Sequence, residues 1–387
     1  MGLGFLPLGA AGSITLITVP QLLSGAHVPE QQIATVTSIA LMPGFITFAL
    51  APLLDWRFRR RTYAILFMLI SAACQFGALL SIGNLALLTA LLFATGVSIG
   101  LCVAAVGGWF GNLTPTEHKA ALGAWFTVAN LGVGGVVASI AIPLLRGLPY
   151  ALGAGLLSLT IALALPLFLW LGCPPADRRL ASESLRAFVR DVLTLLRKPE
   201  VLWTLLLFLA PAAAFSLTNI LGGLGRDFAT SEAMVGLIGG VGVSIAGVIG
   251  SLLVPGLASR IEPRALYLSV GAAGALFSFL LIALRHTPVT YGVASLGENL
   301  FQAASFSVQN VIVLRTIGHD NPLASTQFGL LNCAGTLPLS YMQAIDGHAY
   351  GFGGANGSFA ADAAISLAAC LLLALTLWIW RRRIPAI

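Results

Sequence analysis

Charge is what this 387-residue chain has least of: Asp, Glu, Lys and Arg together make up 9% of it. With 58% apolar residues and a mean hydropathy of +0.94, that scarcity excludes a water-soluble surface and makes lipid the expected solvent. Cysteine is sparse as well. Cys74, Cys102, Cys173, Cys333 and Cys370 stand singly without CxxC spacing, which argues against a thiol redox pair or a cysteine-ligated metal. The five histidines, His27, His118, His286, His319 and His348, fall in loops with no metal-ligand spacing. HExxH, GxSxG and P-loop patterns are missing, as is a pair of facing carboxylates, so neither a membrane enzyme nor an ATP-driven pump is expected. No cofactor is implied. The first apolar run lacks a basic flank and is long enough to span, so it is expected to remain as a helix. The net charge of +6 is spread in short clusters between apolar runs, without interleaved aromatics, which argues against a nucleic-acid partner.

What the chain does have is long apolar runs. A hydrocarbon core about 30 Å thick takes roughly 20 helical residues. Twelve stretches near that length occur, at residues 3–24, 31–54, 62–82, 84–108, 120–145, 149–172, 201–225, 233–257, 265–284, 289–314, 324–345 and 359–380, numbered here as spans one to twelve. Of the 20 basic residues, 17 fall on the side that holds both termini and 3 on the other, Arg146, Arg226 and Arg285. Cytoplasmic loops carry the excess of Lys and Arg, so both termini are expected in the cytoplasm. The longest polar stretch, 173–200, separates an N-terminal half, 1–172, from a C-terminal half, 201–387. Inside it, Leu185, Phe188, Val189, Val192, Leu193, Leu195 and Leu196 recur at helical spacing opposite arginines, which predicts an amphipathic helix on the membrane surface. A weak repeat supports the division: Pro52, Leu54 and Arg57 match Pro255, Leu257 and Arg260 at an offset of 203 residues, each set ending an even-numbered span. The expected fold is an all-α membrane protein of twelve transmembrane helices in two six-helix halves, with a solute held between the halves near the midplane.

The loop Asp55-Trp56-Arg57-Phe58-Arg59-Arg60-Arg61, an acid followed by bases between spans two and three, resembles that of the major facilitator superfamily. More narrowly, the chain is similar to the muropeptide permease and acetyl-CoA transporter branch, which includes siderophore permeases. The likeness rests on Gly4-Phe5 with Ser13 to Leu16, on Ala51 to Asp55 with the arginine run, and on Glu298-Asn299-Leu300 followed by Ser325 to Leu331. It implies a bacterial inner-membrane permease, monomeric, whose partners are the bilayer, a small-molecule solute and protons. Muropeptide permeases carry aspartates near the end of span four and a lysine near the end of span two. This chain has Gly107-Gly108-Trp109-Phe110 and Thr47 there, which counts against muropeptide as the cargo. A coenzyme A ester fits the branch but not the expected lack of cations inside the spans. Export of an organic solute, or a non-transporting receptor or assembly factor with the same fold, stays open beside uptake.

An ionisable residue inside a span is a functional candidate because a charge in hydrocarbon costs several kcal/mol. Glu298, about nine residues and roughly 14 Å into span ten, is the only carboxylate that this count places near the midplane. It is the candidate for proton coupling. A protonated glutamate that cements helix contacts, or direct solute binding, are the other readings of it. With Gln302, Ser305 and Gln309 it follows spacings of four, three and four on one helix face, expected to line a cavity. Asn299 adjoins that face. Span eleven offers Asn332, Thr336, Ser340 and Gln343; span seven Ser216, Thr218 and Asn219; span five Thr127 and Asn130. Together these predict a cavity rich in amides and hydroxyls, suited to hydrogen bonding with a polyhydroxyl or amide-bearing solute. Asp55, Arg57, Arg59 and Arg260 are the candidates for a cytoplasmic latch, although the positive-inside rule alone also accounts for the arginines.

Overall fold

The computed structural model describes residues 1–56, 58–172, 185–319 and 321–383, and among them the chain is helical with no strand. The fold is the all-α, twelve-span membrane architecture expected from the sequence. By length and apolar content, nine helices among the described residues can cross a membrane: Gly2–Gly25, Gln31–Asp55, Arg60–Leu80, Leu85–Leu113, Thr116–Gly147, Tyr150–Trp170, Glu232–Ala258, Pro263–Ile282 and Ala324–Ile379. The last of these holds two spans. Its backbone leaves the helical region at Gly353 and at Gly354, where φ is +58°, so spans eleven and twelve meet at a reversal that a residue without a Cβ adopts readily. Span ten, Pro288–Ile317, is 30 residues long and less apolar than these nine. Span seven is broken: it is α-helical over Pro199–Leu209 and again over the short Leu217–Ile220, with the irregular stretch around Pro211–Ala213 between them.

The spans close to their expected limits, with informative exceptions. Spans three and four are separated at Asn84, whose Oδ1 accepts from the Leu87 N–H at 3.2 Å and starts the next helix. Span four runs to Leu113, beyond the expected 108, and carries Trp109 into the interior, where it is fully buried and its Nε1 donates to the Gly172 carbonyl at 3.2 Å. Trp109 is therefore core rather than the interfacial anchor its place near a span end suggests. Leu185–Leu196 forms the expected amphipathic helix, while the remainder of the polar connection, 173–184, lies outside the described residues.

The chain divides into two compact units. Unit one comprises Met1–Val201 with Val313–Cys333, and unit two comprises Leu202–Ile312 with Ala334–Ile387. The second piece of unit one, the end of span ten and the start of span eleven, is a grouping that a division at 173–200 does not anticipate. An aromatic cluster fills unit one, with Phe5 stacked on Phe126 at 3.9 Å and Phe110 set between Phe126, Trp109 and Phe168. In unit two Leu217, Leu221, Phe228, Tyr291 and Phe359 are buried together.

The interruption of span seven organises unit two. Pro211 has no N–H to donate, the helix ends before it, and Phe215 takes a left-handed φ of 52°. Backbone groups freed at membrane depth must find partners within the protein. They do: Ser305 Oγ donates to Ala213 O at 3.1 Å, Gln302 Nε2 to Phe215 O at 3.4 Å, and Cys370 Sγ to Ala212 O at 3.0 Å. Span nine can approach only because residue 271 is glycine, since a Cβ there would lie 1.9 Å from Ala212 O. Gly271→Ala is accordingly expected to destabilise the protein by about 1–3 kcal/mol through forced backbone displacement. Gly256→Ala, with nothing within 4 Å of its Cβ, should be neutral or mildly stabilising. Thermal unfolding of the two purified variants checks this, and equal midpoints would count against the close approach.

Candidate functional site

Two sites emerge, one in each unit. In unit one, Asp55 is buried at the end of span two and closes the N-terminus of span eleven. Its carboxylate accepts from the Ser325 N–H at 3.2 Å, the Thr326 N–H at 2.7 Å and the Thr326 hydroxyl at 2.7 Å. A negative charge there offsets the unpaired N–H groups of the helix start. Arg60 pairs with Asp55 at 2.8 Å, and its NH2 also donates to the Asn321 and Pro322 carbonyls at 3.1 and 2.9 Å. At the other end of this short turn, Lys119 is buried and its Nζ donates to Leu314 O at 2.7 Å and Gly318 O at 3.0 Å. A cation on the last carbonyls of span ten complements that helix end as Asp55 complements the start of the next. Asn112 completes the clamp through Nδ2 to Asn321 O at 3.2 Å.

The arginine held by Asp55 is thus Arg60, which the sequence marks only as one of a basic run. Arg59 is exposed, as is Arg260, and Arg57 lies outside the described residues. Lys119, one of the 17 basic residues counted on the side of the termini, is part of the same device. Its signal is its position at the first turn of an apolar helix, where a solvated lysine and a buried cap look alike in sequence.

In unit two, the broken span seven places Ser216 among carboxylates. Ser216 Oγ contacts Asp346 Oδ2 and lies 3.0 Å from Asp362 Oδ1. Glu298, fully buried, accepts from the Ser278 hydroxyl at 2.6 Å through Oε1, and its Oε2 has no hydrogen-bond partner among the described residues. Asp346 and Asp362 lie within electrostatic reach of it. Glu298 is therefore not the only carboxylate inside the membrane. The residues around 346–358 carry five glycines and read as a loop, but the helix continues through Asp346 to the reversal at Gly353 and Gly354, and Asp362 is buried in the next helix.

The face Glu298, Gln302, Ser305, Gln309 is buried against unit two's own elements instead of lining an open cavity. Gln302 also donates to Thr218 Oγ1 at 2.6 Å, so it and Ser305 complete the broken span seven. Gln309 packs its amide against Gly335. Asn299 donates to Ser295 O of its own helix at 2.8 Å. Solvent-accessible polar groups remain elsewhere: Asn219 donates to Gln343 Oε1 at 3.1 Å, and Ser340 is exposed, with Thr336 half-buried one turn away. Asn130 and Asn332, both in unit one, are half-buried. Among the described residues no group of three His, Cys, Asp or Glu side chains is arranged to hold a metal ion.

The family model described as Major Facilitator Superfamily matches residues 1–341. The human organic anion transporter TETRAN has a similar structure, with a TM-score of 0.73 at 20% identity, over 96% of this chain and 97% of that one. The Escherichia coli fucose:proton symporter gives 0.71 at 16% identity, over 97% of each chain. The proton:xylose symporter XylE gives 0.68 at 14% identity, over 98% of this chain and 94% of that one. None of the curated proteins matches this chain.

The unit-one clamp makes a direct stability prediction. Asp55→Ala leaves the Arg60 guanidinium buried without its carboxylate and should cost roughly 3–5 kcal/mol, whereas Arg59→Ala, at an exposed position, should stay within about 0.5 kcal/mol. Unfolding of the detergent-solubilised variants measures both, and similar losses for the two would reject the assignment of Arg60 as the partner.

Proposed function

This chain belongs to the major facilitator superfamily and is a membrane transporter rather than an enzyme; on that premise we propose that it takes up a medium-sized organic solute, driven by protons, through alternating access. Glu298 carries the proton-coupled reading. It is a carboxyl at 0% exposure in a membrane span, and among the described residues its hydrogen-bond partner is the Ser278 hydroxyl alone, with one of its oxygens unpartnered. An ionised carboxylate in such surroundings costs several kcal/mol, whereas a protonated one does not. A group whose charge the surroundings tolerate poorly can take a proton from one side of the membrane and yield it when the surroundings change. Two of the similar structures are of proton symporters, which agrees with this reading.

The solute in this reading is a siderophore or a cell-wall muropeptide. Support comes from the resemblance carried by Glu298-Asn299-Leu300 and Ser325 to Leu331, and from the accessible hydrogen-bonding groups of unit two, Asn219, Ser340 and Gln343, which are uncharged. Neutral amides and hydroxyls suit a ligand rich in hydroxyl and amide groups. The orientation proposed is uptake across a bacterial inner membrane with both termini in the cytoplasm, on the strength of the 17 to 3 division of basic residues. Asp55 and Arg60 then act as the cytoplasmic latch, with Lys119 as a third member that the sequence does not reveal.

Two measurements test this. Wild-type protein in proteoliposomes should accumulate ferric siderophore or muropeptide only under an inward proton gradient, and Glu298→Gln should lose that accumulation while keeping solute exchange down its own gradient. Full gradient-driven accumulation by the variant would remove Glu298 from coupling. Asp55→Asn should slow turnover while leaving solute affinity within about twofold, since the latch holds the transporter and not the solute; unchanged turnover would remove the latch role.

A further inference from the structure

Hydrogen counting at Ser216 leads beyond Glu298. A serine hydroxyl has one hydrogen to give and two lone pairs with which to accept. Ser216 Oγ nevertheless meets two carboxyl oxygens, Asp346 Oδ2 and Asp362 Oδ1. If both aspartates were ionised, each would be an acceptor only, and one contact would bring two oxygens together with no hydrogen between them. Ser216 and Asp346 are 0% exposed and Asp362 is 2% exposed, so bulk water does not reach the contact.

Charge counting gives the same deficit. The titratable groups facing this pair are each other and Glu298 of span ten; Ser216 of span seven and the Ser358 hydroxyl, which donates to the Asp346 carbonyl at 2.8 Å, are the neutral groups against it. Of the basic residues of unit two whose side chains are described, Arg226, Arg260, Arg264 and Arg285 are exposed or half-exposed, His286 is engaged with Asn356, and His348 is exposed and lies against Phe352. Buried like charges without a counter-ion are costly. One proton on the pair supplies the missing hydrogen and removes the repulsion between two like charges.

We propose that Ser216, Asp346 and Asp362 form a second proton-binding site, in which Asp362 as the carboxylic acid donates to Ser216 and Ser216 donates to Asp346. Asp346 Oδ1 is buried and has no hydrogen-bond partner, which leaves an acceptor open for an arriving proton. Only O–H bonds form and break: with the acid hydrogen on Asp346 Oδ2 instead of Asp362 Oδ1, Ser216 donates to Asp362, and the pair still holds one proton. Ser278 repeats the deficit, with one hydrogen for Glu298 Oε1 at 2.6 Å and Gly274 O at 3.2 Å. The two serine-centred sites therefore hold one proton each. This inference rests on the proton-coupled reading above and extends it from one carboxyl to two sites.

Infrared spectroscopy of the full chain in phosphatidylcholine vesicles, in sodium-free buffer at neutral pH, tests it through the carbonyl stretch of protonated carboxyl groups. Wild type should show two such bands. Glu298→Gln should lose one and keep the other, and Asp362→Asn, whose amide can still donate to Ser216, should lose the one that Glu298→Gln keeps. Ser216→Ala retains both acids and should shift that same band, because the acceptor of the acid hydrogen is gone. Loss of all signal in Glu298→Gln, or retention of both bands in Asp362→Asn, overturns the second site while leaving Glu298 in place. Loss of all signal in Asp362→Asn with no change in Glu298→Gln upholds this site and sinks the coupling role of Glu298. Disappearance of the aspartate band on adding sodium chloride would show an alkali cation in place of the proton and also overturn the proposal.

Discussion

Unit two is governed by the rule that a peptide group inside a membrane cannot be left without a partner. Span seven breaks this rule locally at Pro211, and much around it answers the break. Ser305, Gln302 and Cys370 supply donors to the carbonyls at 212, 213 and 215, and Gly271 gives the room that lets another span close on them. The irregular backbone in turn carries Ser216 to a place that a continuous helix from Pro199 would not give it. A polar stripe on span ten that looks made for a solute is in large part made for a neighbour's backbone. What remains accessible to solute is fewer groups, uncharged, on spans seven and eleven.

Unit one has a second electrostatic solution. A turn of a few residues joins two long helices, so the unpaired carbonyls of one and the unpaired N–H groups of the other come close together. Lys119 meets the first set and Asp55 the second, while Arg60 ties Asp55 to the turn itself. Burying three charges is tolerable because each faces either a helix end of opposite polarity or an opposite charge, with hydrogen bonds to match. The three also explain why Val313–Cys333 belongs with spans that precede it by more than a hundred residues.

Much of this was legible in the sequence. Hydropathy located the spans, because twenty apolar residues in a row admit few other structures. Glu298 stood out because an acid has no cheap place in such a run, and the acidic and basic loop after span two located the clamp. Three matters were not legible. The choice of Arg60 over Arg59 turns on which side of a helix start each residue occupies, and the run of arginines hides it. Asp346 falls just past the expected end of span eleven because Gly347, Gly351, Gly353, Gly354 and Gly357 read as a loop, whereas tertiary packing holds most of that stretch helical and confines the reversal to two residues; Asp362 stands near the start of the expected span twelve, where an acid reads as a span-end residue and not as a midplane one. The orientation of the Gln302 and Ser305 face depended on where span seven breaks, and periodicity shows a face without naming what meets it.

The composition of unit one also sets a constraint on biosynthesis. Chains emerge from the ribosome and enter the membrane from the N-terminus onward, and domains ordinarily fold as they are completed. Here the first unit is not complete at residue 201, because Asp55, Arg60 and Lys119 still lack the helix ends that they cap. Until residue 333 has been made, these three charges wait for partners encoded far downstream. The nascent first half is therefore an open form, and its closure is an event of late translation that requires most of the second half to be in place.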